Sequence, residues 1–318
     1  MRLKLIILMV LGVFILSGCH KTIKLDNGDK YIGEVTKLGF GEMEGQGEYI
    51  YKNGDKYTGD FKQGEFLGKG VLTTKETNEK YDGNFGKEEF EGKYVVEDGD
   101  GNIVTNGDLK CDIDSLFESD ENNTFNGSFK GKIYDENGNE EIDGTIEGDI
   151  PLNEYEDVSY EFSLDGKLYE EGDLVSEGNF KYKIKNGEIL DLNGEGKFYD
   201  DNKLLIDGKI IGAIENEDKF DFDGKMYEDG KVFLDGKFKF DDLFFEGNGT
   251  MIDGVNKMVG DIYADDENDI FKIKGKMYES DKIFLDGDFT FKGESCTGTG
   301  KIYDIDTGEV VQEGDISY

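Results

Sequence analysis

A glycine set two residues from a bulky side chain on either side recurs throughout this chain. Early copies are Tyr31-x-Gly33-x-Val35, Tyr57-x-Gly59-x-Phe61 and Tyr81-x-Gly83-x-Phe85. Later copies include Phe125-x-Gly127-x-Phe129, Ile206-x-Gly208-x-Ile210, Leu234-x-Gly236-x-Phe238 and Leu285-x-Gly287-x-Phe289. Residues i, i+2 and i+4 of a strand share one face, so each copy puts a bare spot between two large side chains. A neighbouring strand's aromatic can lie over that spot, where any Cβ would clash. The copies return about every 24–30 residues, which makes the chain one unit repeated.

Composition agrees with a thin, repeated sheet. Hydrophobic residues are 36% and charged residues 34%, lean for a thick core. The apolar content is concentrated in 23 Phe and 17 Tyr, which bury much area per residue. With 46 Gly and one Pro, Pro151, the chain reads as hairpins, because Pro would remove ladder hydrogen bonds. Asn53-Gly54, Gln63-Gly64 and Asn186-Gly187 are turn signals. Runs such as Lys237-Phe238-Lys239-Phe240 give one aromatic, packed face and one charged, wet face. The expected fold is all-β: an elongated single-layer antiparallel sheet of stacked β-hairpin repeats, preceded by an N-terminal signal helix.

One unit carries a recognisable pattern. Tyr57-Thr58-Gly59-Asp60-Phe61 and a turn at Gln63-Gly64 lead into Gly68-Lys69-Gly70-Val71-Leu72. This resembles the MORN repeat (membrane occupation and recognition nexus); Tyr31 to Tyr49 and Tyr81 to Tyr94 resemble it with defects. From Gly131 on, units begin with a second signature: Gly131-Lys132-Ile133-Tyr134, Gly166-Lys167-Leu168-Tyr169, Gly196-Lys197-Phe198-Tyr199, Gly224-Lys225-Met226-Tyr227, Gly275-Lys276-Met277-Tyr278 and Gly300-Lys301-Ile302-Tyr303. These are similar to the longer, divergent MORN-like repeats of bacterial envelope proteins. The expected organisation is a leader over 1–18, a tether over 19–25, MORN repeats over 26–94, degenerate acidic repeats and loops over 95–130, and divergent repeats over 131–318.

The N-terminus has an address of its own. A basic start, Arg2 and Lys4, precedes an apolar run from Leu5 to Leu16 that is short for a membrane span and right for a signal-peptide core. It ends in Leu16-Ser17-Gly18-Cys19, which resembles the lipobox of bacterial lipoproteins. That resemblance implies cleavage before Cys19, acylation of Cys19 including palmitate, and anchoring in the envelope, at the outer membrane or the outer leaflet of the cytoplasmic membrane.

Charge and residue types narrow the function classes. A net charge of -37 repels phosphate backbones and favours basic protein partners, so no nucleic-acid partner is expected. The single His, His20, leaves no Ser-His-Asp or Cys-His arrangement and no zinc set in the body. Asp98-x-Asp100-x-Asn102 and Asp135-x-Asn137-x-Asn139 begin like calcium loops but lack the glycine at the sixth position and the glutamate at the twelfth, and read better as polar turns. Cys111 and Cys296 lie too many units apart to pair in a linear array. The expectation is a non-enzymatic, lipid-anchored repeat protein without a cofactor, catalytic residue or metal site, which presents a surface to an unidentified protein. The alternative is a scaffold carrying a weak divalent-cation or carboxylate site within 95–130.

Overall fold

A computed structural model describes residues 19–36, 41–117, 124–135, 137–151, 159–185, 188–213, 219–241 and 243–318. The signal-peptide core, the lipobox residues before Cys19 and the Asn186-Gly187 turn lie outside them. The chain divides into two compact units, Met1–Glu140 and Glu141–Tyr318.

The first unit holds β1 (Cys19–Lys24), β2 (Lys30–Val35), β3 (Met43–Ile50), β4 (Lys56–Lys62), β5 (Glu65–Thr73), β6 (Glu79–Phe85), β7 (Glu89–Glu97), β8 (Ile103–Asp112) and β9 (Thr124–Tyr134), with a 3-10 turn at Asp114–Leu116. The second comprises β10 (Glu140–Pro151), β11 (Ser159–Glu170), β12 (Asp173–Lys185), β13 (Glu188–Asp200), β14 (Lys203–Ala213), β15 (Lys219–Glu228), β16 (Lys231–Asp241), β17 (Phe244–Asp253), β18 (Asn256–Asp265), β19 (Ile270–Glu279), β20 (Lys282–Lys292), β21 (Ser295–Tyr303) and β22 (Val310–Ser317). Within each unit every strand pairs antiparallel with the next in sequence, so the all-β hairpin fold expected from the sequence is the fold observed.

One segment differs from expectation. Residues 19–24, expected within a tether, form β1 and pair with β2 from Cys19↔Val35 to Lys24↔Lys30. Within 95–130, expected to hold degenerate acidic repeats and loops, Ile103–Asp112 is the strand β8, held between β7 and β9. Alternating side chains along Leu109-Lys110-Cys111 explain this, because Leu109 and Cys111 are buried while Lys110 is exposed.

Glycine sets the register. Gly33, Gly47, Gly59, Gly70, Gly83 and Gly92 pair in succession across β2 to β7. At β7–β8 the row steps: Gly92 faces Leu109, while Gly107 faces Tyr94 and then Gly131. In the second unit the row runs unbroken from Gly144 through Gly166, Gly178, Gly196, Gly208, Gly224, Gly236, Gly249, Gly260, Gly275, Gly287 and Gly300 to Gly314. The strands approach closely along it. A Cβ on Gly59 would lie 2.4 Å from the Gly70 Cα, and one on Gly236 2.6 Å from the Gly249 Cα. Gly236 also has φ +152°, which disfavours any side chain.

Rings lie down on this bare backbone, which is how one layer of strands buries aromatics completely. In the first unit the covering ring precedes its glycine. Tyr57 lies over Gly59 in its own strand and Gly70 in the next, and its hydroxyl donates to the Asp60 carbonyl at 3.0 Å. Tyr31 repeats the arrangement over Gly33 and Gly47, donating to the Glu34 carbonyl at 2.6 Å. In the second unit the ring follows its glycine: Phe180 covers Gly178, Gly194 and Gly196, and Phe289 covers Gly287, Gly298 and Gly300. Tyr57 further stacks on Phe66 at 3.9 Å and meets Phe61 and Phe85 edge-on at 5.2 and 5.0 Å. Such pairs add roughly 0.5–1.5 kcal/mol each beyond burial.

Candidate surfaces on the repeat array

Turn chemistry accounts for the polar residues that resemble ligand loops. The Asp98 carboxylate accepts the backbone N–H groups of Asp100 and Asn102 at 2.9 and 2.8 Å and the Asn102 amide at 2.8 Å. Asp135 makes the same set with Asn137 and Asn139, each bond 2.8 Å. Both carboxyls are held below their usual range, chiefly by the asparagine amide. These groups close their own loops, and among the described residues no cluster of three metal-ligating side chains occurs. Asp29 instead joins two hairpins. It accepts the Lys52 N–H at 2.8 Å and the Tyr49 hydroxyl at 2.7 Å, and the latter bond is the main cause of its lowered pKa. Asp55 reaches the Lys75 N–H of the following turn in the same way, at 2.8 Å.

Reactive groups are correspondingly quiet. Cys111 is a buried free thiol pushed up to about 12, first by burial and then by the neighbouring Asp112 charge. Cys296 is also free, and burial raises its pKa. The carboxyls of Asp29, Asp98, Asp135, Glu161, Asp265 and Asp304 are held below their usual range, in each case chiefly by a hydrogen bond. Cys19 stands at the start of β1, opposite Val35.

The wet face of the second unit carries charge in register. One row beside the glycines reads Asp207, Lys225, Asp235 and resumes as Lys276, Asp286, Lys301, Glu313. A row on their other side reads Lys209, Asp223, Lys237. Cross-strand ion pairs form within these rows: Lys237–Asp223 at 2.8 Å, Lys301–Glu313 at 3.4 Å and Lys276–Asp286 at 3.7 Å. Each is exposed, so solvent screens it and it favours the register only weakly.

An open groove of about 810 Å³ crosses this face over β14 to β20. Lys209, Lys237, Lys239, Lys272 and Lys274 line it together with Asp221, Asp223, Glu246, Asp261 and Asp288. Its charges balance, so it offers no net field to a small ion. Its apolar lining includes Tyr263, whose ring carries the Lys272 ammonium at 4.8 Å, and the exposed Ile211.

A feature the glycine pattern does not announce is a repeated β-bulge. Register shifts fall at Leu168/Tyr169, Phe198/Tyr199, Met226/Tyr227, Met277/Tyr278 and Ile302/Tyr303. The residues left unpaired are Val175, Leu205, Phe233, Phe284 and Val311. By alternation they share the wet face with the charged row two residues further on. The sequence does contain the signal: Val232-Phe233-Leu234 and Ile283-Phe284-Leu285 are runs of three apolar residues, which a one-sided strand does not need.

No curated protein matches this chain. The MORN repeat family model matches residues 40–56 and 57–75. Those residues span β3, β4 and β5, where Tyr57 lies over Gly59 and Gly70. The first unit thus carries MORN repeats within a β-repeat sheet, an architecture suited to a scaffold for protein or membrane interaction.

Proposed function

We propose that this chain is a lipid-anchored, non-enzymatic repeat protein of the bacterial cell envelope, tethered through Cys19, that displays its sheet to other proteins as an adhesion or host-interaction factor or as an envelope scaffold. The observation that carries the reading is the division of labour between faces. Buried rings and aliphatic side chains close over the glycine row on one face, which leaves the other free as a long, regular, acidic surface. The lipobox-like Leu16-Ser17-Gly18-Cys19 supplies the anchor.

The test is protease shaving of intact cells combined with radiolabelled palmitate, comparing wild type with Cys19→Ala. Label on the wild type alone, with loss of membrane association in the variant, is the expected result. An unlabelled wild type, or a variant that stays on the membrane, would sink the anchored reading. Digestion from intact cells selects the adhesion role; digestion only after envelope disruption selects the scaffold role.

A further inference from the structure

The bulge residues lie where the fold has no use for apolar side chains. The core of the second unit is on the opposite face, yet five of its bulges leave an apolar residue unpaired on the wet face: Val175, Leu205, Phe233, Phe284 and Val311. Leu205 is 40% exposed and Val311 62%, and Phe233 and Phe284 are part-exposed. A tyrosine flanks each bulge and pairs with the residue before the unpaired one, as Tyr227 does with Val232 before Phe233. The β17–β18 hairpin lacks the bulge: at that register Lys257 pairs with Tyr278 and holds its ammonium 4.8 Å from the ring, while Val259 is exposed in the adjacent charged row. Together the bulge residues and tyrosines form an apolar stripe across the strands. Beside it, two of the turns bear two carboxylates for one lysine, Asp200 and Asp201 with Lys203 and Glu228 and Asp229 with Lys231, and the β11–β12 turn bears Glu170, Glu171 and Asp173 with none.

We infer that this stripe is a docking site for a cationic amphipathic helix of a partner protein, laid across the strands with its apolar side on the tyrosine and bulge residues and its lysines or arginines over the acidic turns. Spacing and charge both select that occupant. The stripe repeats every second strand, about 10 Å. A helix presents the same side every seven residues, also about 10 Å, whereas an extended peptide does so about every 6.7 Å. A second copy of this chain would bring acidic turns against acidic turns, and an anionic bilayer would be repelled by the same charges. The inference rests on the protein-binding reading proposed above and names its partner class.

The experiment uses the purified protein and a labelled synthetic helix of three heptads, with leucine at the a and d positions and lysine flanking them. Fluorescence anisotropy reads binding. Two control peptides replace lysine by glutamate or scramble the leucine spacing. The expected result is salt-sensitive binding of the lysine heptad peptide alone. The doubly substituted Tyr227→Ser/Phe233→Ser protein should bind about tenfold or more weakly, as should Glu228→Gln/Asp229→Asn, which leaves the stripe intact. Far-UV circular dichroism checks that both variants keep the sheet.

Equal binding of the glutamate or scrambled peptide, or unchanged affinity in both variants, would overturn the inference. So would stripe-dependent binding to phosphatidylglycerol vesicles without peptide binding, or a concentration-dependent dimer abolished by Phe233→Ser. Those outcomes leave the anchored envelope reading standing, because that reading is judged by palmitate and protease. A failure of lipidation would not move the anisotropy result.

Discussion

The two units solve one packing problem with opposite placements of tyrosine. In the first, Tyr31, Tyr57 and Tyr81 are buried beside the glycine row, with the Tyr31 and Tyr57 hydroxyls donating to carbonyls three residues on. In the second, Leu234 and Leu285 occupy the buried positions before the row, and the following Phe238 and Phe289 supply the covering rings. There Tyr199, Tyr227 and Tyr278 sit on the wet face beside the bulges. The difference teaches that the glycine, rather than the tyrosine, is the invariant requirement of this architecture. A ring can reach the bare backbone from either side, and once Phe does so the tyrosines are free for a surface.

The comparison breaks first at the glycines. Gly59→Val and Gly236→Val should each cost more than about 4 kcal/mol, since both drive a side chain into neighbouring backbone. Gly99→Ala, with nothing within 4 Å of its added Cβ, should change stability by less than about 0.5 kcal/mol. Urea melts of the three variants make the check, and equal tolerance of all three would contradict the row as the determinant.

The rings come next. Tyr57→Ala and Phe289→Ala should each cost about 3–5 kcal/mol, while Tyr227→Ala should stay within about 0.5 kcal/mol. Tyr57→Phe isolates the hydroxyl and should cost about 1 kcal/mol. If Tyr227→Ala destabilised as much as Tyr57→Ala, the inside-versus-outside contrast would be wrong.

Alkali should separate the units with a smaller effect. Burial, helped by the Glu34 charge, pushes Tyr31 up to about 12, and burial moves Tyr51, Tyr57 and Tyr81 further upward. A raised folded-state pKa stabilises fully below the unfolded value near 10, and that stabilisation is lost as pH climbs through the folded value. The first unit should therefore loosen between about pH 10 and 12. The second has Tyr182, at about 12 and bonded to Ser176 at 2.6 Å, as its buried counterpart. Limited proteolysis across that range should cut the first unit earlier; the reverse order would refute the assignment. The smallest expected effect is Lys237→Glu opposite Asp223, a slight loss of stability that fades in salt, read from melts with and without added sodium chloride.

Much of this was legible in the residues. Tyr-x-Gly-x-Phe fixed the face and hairpin phase, because a two-residue period admits one reading once one side must be bare. Asn53-Gly54-Asp55 announced a turn, though not that Asp55 would reach the next turn at Lys75. Which flanking residue covers the glycine was hidden, since bulky-x-Gly-x-bulky is symmetric. The bulges were hidden for a related reason: one extra residue leaves alternation intact on both sides and shows only as three apolar residues in a row. The strand β1 was obscured because Cys19 to Lys24 has no glycine of its own and pairs Lys21 with Gly33.

Sequential pairing within each unit has a consequence for how the chain comes into being. Apart from the first of each unit, every strand finds its partner in the strand made just before it, so among the described residues no strand pairing within a unit waits for a distant segment. Such a chain can zip up in the order it emerges from a ribosome or a translocation pore, hairpin after hairpin, with little to gain from rearranging afterwards.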